Sequence, residues 1–163
     1  MLADQEKPVL AALDELGISY VRHEHQPVFT IEESSKLDTG NGRHCKNLFL
    51  RNRKGDAHYL LIISSSKRVE LKSLASLVGS TPLSLASEER LASHLGLTPG
   101  AVSPFGLLND RNGEVGVLID RDLTGLNNLC FHPNVNTATV VIPFHDLKRF
   151  LDRYGNEIRY VQV

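Results

Sequence analysis

Tryptophan is missing from this chain of 163 residues, methionine occurs once and cysteine twice. Aromatic side chains make up 6% of the residues. So few rings argue against a broad platform of exposed aromatics on which nucleic-acid bases stack. Two cysteines, Cys45 and Cys130, cannot supply a four-ligand zinc site, and neither C-x-x-C nor H-E-x-x-H spacing occurs. Two reduced thiols, packed as small apolar side chains, are the expectation. No apolar run approaches the roughly 18 residues needed to span a bilayer, and the early acids Asp4 and Glu6 with no apolar stretch behind them exclude a secretory leader. The expected location is the cytoplasm. Neither sign of charge dominates: 18 basic residues stand against 19 acidic ones, for a net charge of -1. With 41% hydrophobic residues, that balance excludes intrinsic disorder and gives no general attraction to DNA or to a membrane. The length suits one domain over residues 1–163.

What is there reads as interspersed helices and strands. Asp4 is placed to cap a first helix in which Val9, Leu10, Leu13 and Leu16 recur at helical spacing, and Gly17 ends it. A short strand is expected over Ile18–Arg22. Thr30-Ile31-Glu32-Glu33 has the spacing of a capping box and predicts a second helix from Ile31 to about Leu37. Asp38–Gly42 reads as a loop. Cys45–Arg51 and His58–Ile63 are predicted to pair as a hairpin around Arg53-Lys54-Gly55-Asp56. Helices are expected over Glu70–Val78, stopped by Gly79, and after the cap Ser87, stopped by Gly96. Thr98-Pro99-Gly100 and Ser103-Pro104-Phe105-Gly106 are turn signals. Strands follow around Val115–Ile119, Leu129–His132 and Thr137–Ile142. Pro143 opens a helix with Phe144, Leu147, Phe150 and Leu151 inward, and a last strand runs from Ile158. This order argues for a single α+β domain with a mixed sheet. Neither G-x-G-x-x-G nor G-x-x-x-x-G-K-[ST] occurs, which argues against a Rossmann or P-loop nucleotide enzyme.

Charge is uneven locally. Arg43, Lys46, Arg51, Arg53 and Lys54 fall within twelve residues that hold no acid. Such an edge suits phosphate contacts, and equally a solvated hairpin whose edge is guarded by charge.

Six stretches, taken in order, carry a resemblance. They begin Pro27-Val28-Phe29-Thr30, Cys45-Lys46-Asn47-Leu48-Phe49-Leu50 and Arg68-Val69-Glu70-Leu71-Lys72. They continue with Ala86-Ser87-Glu88-Glu89-Arg90-Leu91, Thr98–Asp110 and Phe131-His132-Pro133-Asn134-Val135-Asn136-Thr137-Ala138-Thr139. Together they resemble the YbaK/prolyl-tRNA synthetase-associated domain family, and within it the free-standing branch that deacylates alanyl-tRNA(Pro). The resemblance spans nearly the whole chain. It implies a compact α+β domain on a mixed, strongly curved sheet flanked by helices, a hydrolase acting on mischarged tRNA, and no metal or organic cofactor. The partner it implies is the acceptor stem and 3′ end of that tRNA, with transient contact to prolyl-tRNA synthetase or an elongation factor. Two departures stand out: Leu83 and Leu85 in Pro82–Ser87, where the branch has an aromatic residue, and the tail Asn156–Val163.

Lys46 matches the family's essential lysine and His132 its site histidine. Alone, Lys46 reads as an exposed strand lysine and His132 as a structural histidine; the surrounding motifs shift both toward the site. An ammonium can steady charge on the ester oxygens or hold a phosphate, and a near-neutral imidazole can orient water or bind a 2′-hydroxyl. Asn47 is next to Lys46 and therefore faces the other side of a strand, unless a bulge or strand end brings both to the ligand. Phe29, Thr30, Ile31, Phe105 and Phe131 are candidate walls of a pocket that accepts alanine and excludes proline by size. Asn136 and Thr137 are candidates for its polar rim. Gly106 allows close approach of backbone to ligand, or serves the turn after Pro104. Arg43, Arg51, Arg53, Lys54, Lys67 and Arg68 are candidates for the acceptor stem.

Other readings stay open. The same reaction on cysteinyl-, seryl- or threonyl-tRNA is one. A non-catalytic tRNA- or synthetase-binding module is another. A cysteine hydrolase would need Cys45 or Cys130 activated by His44 or His132, and a metal site at His23 and His25 lacks further ligands.

Overall fold

A computed structural model describes residues 3–30, 32–33, 36–37, 39–40 and 42–163. Helix α1 spans Lys7–Glu15 and buries Val9, Leu10, Ala12 and Leu13. Its N-cap is Glu6, not Asp4, and no side chain caps it. Asp4 pairs instead with Lys7 at 3.2 Å. Glu6, 1% exposed, accepts from Arg22 Nε at 2.6 Å and from Arg22 Nη2 at 3.0 Å. That bidentate pair ties α1 to strand β1 (Val21–Glu24), which starts three residues later than the sequence suggests.

Of the helix expected from Ile31 to about Leu37, residues 32–33 and 36–37 are described, and 32–33 are helical. Its start is visible: Glu33 N–H donates to Thr30 Oγ1 at 3.0 Å, and Glu33 Oε2 accepts from Phe29 N–H at 3.1 Å. The glutamate thus closes the box one residue earlier than the usual pattern, on Phe29 and not on Thr30.

The hairpin of β2 (Arg43–Arg51) and β3 (His58–Ser64) forms as expected, in register from Cys45↔Ser64 to Arg51↔His58. β4 is a two-residue strand, Ser84–Leu85, with too little pattern to be read from sequence. β5 (Val115–Asp120), β6 (Leu129–Phe131), β7 (Ala138–Ile142) and β8 (Ile158–Val161) complete the sheet. Its order is β1-β7-β6-β2-β3-β5-β8, with β4 beside β2. β2–β6, β3–β5 and β5–β8 are parallel and the other pairs antiparallel, so the sheet is mixed.

Both faces of the centre are covered. Leu60, Ile62, Val117 and Ile119 face the larger core, together with α1, α3 (Glu88–Leu95) and α4 (Phe144–Tyr154). Leu61, Ile63 and Leu118 alternate with them and meet α2 (Leu71–Val78) on the other face. A strand buried on both sides is apolar at every position, which is why His58–Ser64 shows no alternation in sequence. Helix ends follow the expected chemistry. Ser87 accepts from Arg90 N–H at 3.2 Å, and Gly79, Gly96 and Gly155 close their helices with φ of 71°, 66° and 73°. The Pro104 turn extends into a 3-10 helix over Pro104–Asn109, capped by Ser103 Oγ.

Candidate active site

The site begins with a missing neighbour. On one edge β2 pairs with β6 only at Arg43 and His44, and with β4 only at Leu50 and Arg51. Between them, over Cys45–Phe49, no described strand runs alongside. Phe49 accepts from Ala86 N–H through its carbonyl and His44 accepts from Ser65 N–H on the opposite side. Strand alternation therefore turns the peptide groups of Cys45 and Asn47 toward the open edge. A cleft of about 420 Å³ opens there.

This gap resolves the problem of Lys46 and Asn47. They do lie on opposite faces of β2: Leu48 and Leu50 pack with the α2 side, whereas Cys45 and Phe49 pack with the larger core. No bulge turns them. Because the cleft opens at a strand edge, both side chains border it, one from each face. The Lys46 ammonium has no acidic partner among the described residues. Burial, with the charge of Arg68 nearby, holds its pKa below the usual lysine range. Asn47 Nδ2 donates to the Val102 carbonyl at 3.4 Å, which fixes the amide's orientation. Its Oδ1 is buried and finds no partner among the described residues.

Three histidines surround the β6 end, and hydrogen bonding distinguishes them. His44 donates to the Leu37 carbonyl, leaving Nε2 to accept from Thr39 Oγ1 at 3.2 Å. His25 Nδ1 meets the Gln26 carbonyl at 2.8 Å, and its Nε2 meets Thr139 Oγ1 at 2.9 Å. His132 Nδ1 donates to the Ala138 carbonyl at 3.0 Å, and its Nε2 has no partner among the described residues. Carbonyls only accept, so each neutral ring carries its proton on Nδ1. Only His132 is left with a free acceptor, and it lines the cleft. Burial pushes the His132 pKa down, against the Ala138 hydrogen bond that favours its charged form. His44 is lowered by burial too.

The thiols are unsuited to attack. Burial raises the pKa of both Cys45 and Cys130, so neither tends to ionise. Cys130 Sγ contacts Thr39 Oγ1 at 3.6 Å. The register His44↔Cys130 puts Cys130 on His44's face and Cys45 on the other, so the two thiols do not face each other. His25 as a metal ligand is likewise disfavoured, since both of its ring nitrogens are engaged.

The other expected site residues divide. Thr30 and Phe131 line the cleft, and Phe131 is 2% exposed. Phe29 lines it as well, but as a rim: the residue is 72% exposed. Phe105 is not a wall. It is fully buried, edge-on to Phe131 at 6.0 Å and Phe150 at 5.1 Å, and so stands behind the wall. Gly106 does not admit ligand either, because a Cβ there would lie 2.6 Å from Leu97 Cδ1; its smallness serves core packing. Asn136 is used internally: its Nδ2 donates to the Val28 carbonyl at 3.1 Å while Val28 N–H donates back to Asn136 O. It clamps the segment that carries Phe29 and Thr30. Thr137 is off the cleft, and its carbonyl accepts from His25 N–H. Ile31 lies outside the described residues. Thr139, Ser65, Gly100 and Val102 line the cleft without having been singled out. The strand pattern offered Thr139 as a signal, two residues beyond Thr137, but no spacing marked it.

The basic candidates also separate. Lys67 is held by Asp120 at 2.7 Å, Asp122 at 2.5 Å and the Val163 carbonyl at 2.8 Å, which leaves it no free valence for phosphate. Lys54 pairs with Asp56 at 3.7 Å. Arg51 donates to the carbonyls of Asn52 and Arg53. Arg43, Arg53 and Arg68 are exposed and form no ion pair among the described residues.

Comparison with known proteins places the chain among its relatives. The chain is 47% identical over 161 residues to the prolyl-tRNA editing protein ProX of Acetoanaerobium sticklandii, covering 98% of each. It is 33% identical over 162 residues to prolyl-tRNA synthetase associated domain-containing protein 1 of Xenopus laevis, covering 96% of each. In fold it matches the crystal structure of a candidate trans-editing enzyme for prolyl tRNA synthetase, with TM-score 0.73, 24% identity and coverage of 100% of this chain and 99% of that one. The aminoacyl-tRNA editing domain model matches residues 25–150, a span that holds Lys46, Asn47, His132 and the open edge of β2, and the chain belongs to that family.

Proposed function

We propose that this protein hydrolyses the ester of alanine misattached to tRNA(Pro) and spares the correctly attached proline. The observation that carries the reading is the convergence, at one strand edge, of an unpaired ammonium, a buried free amide oxygen and a single imidazole with a free acceptor. The substrate ester needs little else. Water oxygen bonds to the carbonyl carbon, the carbon–oxygen bond to the ribose breaks, and one water proton passes by way of His132 Nε2 to the departing ribose oxygen. The Lys46 ammonium steadies the negative charge that develops on the carbonyl oxygen. Asn47 Oδ1 accepts from the substrate, at its amine or its 2′-hydroxyl. Phe131, Val28 and Leu91 give the cleft an apolar wall, and the ring of proline is excluded there by size. The relatives' names point to prolyl-tRNA. The partner is accordingly the 3′ end and acceptor stem of tRNA(Pro), with transient contact to the synthetase or an elongation factor, in the cytoplasm. No cofactor enters the scheme.

The test is release of labelled amino acid from alanyl-tRNA(Pro), prolyl-tRNA(Pro) and seryl-tRNA, with Lys46→Ala alongside. Alanine alone is released, and Lys46→Ala slows that release roughly 100-fold or more. Release of serine but not alanine would reassign the amino acid. Release of none would make this a binding module.

A further inference from the structure

Thr139 is 2% exposed and lines the cleft. The register Phe131↔Val140 places it beside His132, and strand alternation puts both on one face of the sheet, with Cys130. Its hydroxyl has one hydrogen. His25 Nδ1 is engaged with the Gln26 carbonyl, so the neutral ring's Nε2, 2.9 Å from Thr139 Oγ1, is an acceptor. The threonine hydrogen is therefore committed to His25, and the oxygen presents only lone pairs to the cleft. His132 lines the same cleft, and its Nε2 presents a lone pair for the same reason.

Two neighbouring acceptors with no hydrogen between them call for a partner that donates twice. A second cation suits the place poorly, because Lys46 borders the same cleft and Arg68 adds charge close to it. Water suits it: donating both hydrogens turns its lone pairs away from the two acceptors. We infer that Thr139 is a further catalytic residue of the hydrolysis, sharing the attacking water with His132, and that His25 is the positioning residue that fixes the polarity of its hydroxyl. In the step proposed above, one proton of this water goes to His132 and onward to the ribose oxygen; the other stays on the oxygen, held by Thr139. The inference rests on the hydrolytic reading.

Steady-state deacylation of alanyl-tRNA(Pro) tests it with Thr139→Val, Thr139→Ser and His25→Ala, singly and with Thr139→Val combined with His25→Ala. Thr139→Val lowers kcat roughly 10- to 100-fold, the effect of a misplaced nucleophile, and leaves KM within about twofold. Thr139→Ser returns kcat to within about threefold of wild type. His25→Ala lowers kcat as well, but adds nothing once the hydroxyl is gone. Wild-type kcat in Thr139→Val, a change in KM alone, or losses that multiply in the double variant would each overturn the assignment. If Thr139→Val does not fold, Thr139→Ala takes its place, singly and combined with His25→Ala, and decides between the same outcomes. A wild-type protein that releases no amino acid from any mischarged tRNA refutes the hydrolytic reading itself, and the inference falls with it.

Discussion

Identical side chains take different roles here because their hydrogen bonds differ. His25, His44 and His132 each give their Nδ1 hydrogen to a backbone carbonyl. Two of the three then meet a threonine hydroxyl, and the third does not. Sequence motifs could mark His132 but not this distinction, which depends in part on His25 and Thr139 meeting across 114 positions. The pH dependence follows with a definite sign. Burial lowers the His132 pKa from its ordinary 6.5, so the ring is neutral at pH 7 and becomes charged only at lower pH. A charged ring has no acceptor to offer water. The rate of alanine release is therefore flat near neutrality and falls on the acid side with a midpoint below 6.5. His132→Gln, which cannot titrate, leaves a slower reaction without that acid limb. A profile with its midpoint above 6.5, or an acid limb that survives the substitution, would remove His132 from the step.

At the scale of elements, the helices and the hairpin were legible because their signals are local. Ser87, Gly96 and Gly155 act within a few residues, and so does the turn between β2 and β3. The open edge of β2 was not legible. It arises because β6 and β4 meet β2 at opposite ends, and each pairing joins segments far apart in sequence. Without that gap, alternation on a strand sets Lys46 and Asn47 apart. The same long-range packing, invisible in a local motif, decides Phe105 and Gly106: their motif reads as a pocket turn, while Phe105 packs against Phe150 of α4 and Gly106 lies against Leu95 and Leu97. Gly106→Ala separates the two roles. The added Cβ meets Leu97 Cδ1 at 2.6 Å, Leu97 Cγ at 3.1 Å and Leu95 Cβ at 3.2 Å, all within the core. Overpacking of this kind costs about 1–3 kcal/mol, which lowers the melting temperature by several degrees in a domain of this size. Deacylation below the transition keeps its wild-type KM, because the residue does not border the cleft. A raised KM with unchanged melting would return Gly106 to the ligand.

At the scale of the whole molecule, a net charge of -1 gives tRNA no broad field to follow. Affinity for tRNA must come from a few locally placed cations, and the ion-pair pattern selects them. Lys67 neutralises Asp120 and Asp122 and holds the last residue of the chain, so its charge is already balanced within the fold. Arg43, Arg53 and Arg68 are exposed and have no such partner among the described residues. Each phosphate that a cation neutralises releases counterions and steepens the fall of binding with salt by roughly 0.7–0.9 in the log–log slope. Measured as log kcat/KM for alanyl-tRNA(Pro) against log salt, Arg53→Ala or Arg68→Ala flattens the slope by about that amount for each phosphate left without its cation. Lys67→Ala leaves the slope unchanged and lowers the melting temperature, because it strands the fully buried Asp120 without its cation. The opposite pattern, with the slope moved by Lys67 and not by the arginines, would mean that tRNA approaches over the Ser64–Arg68 turn by displacing the lysine from its acids.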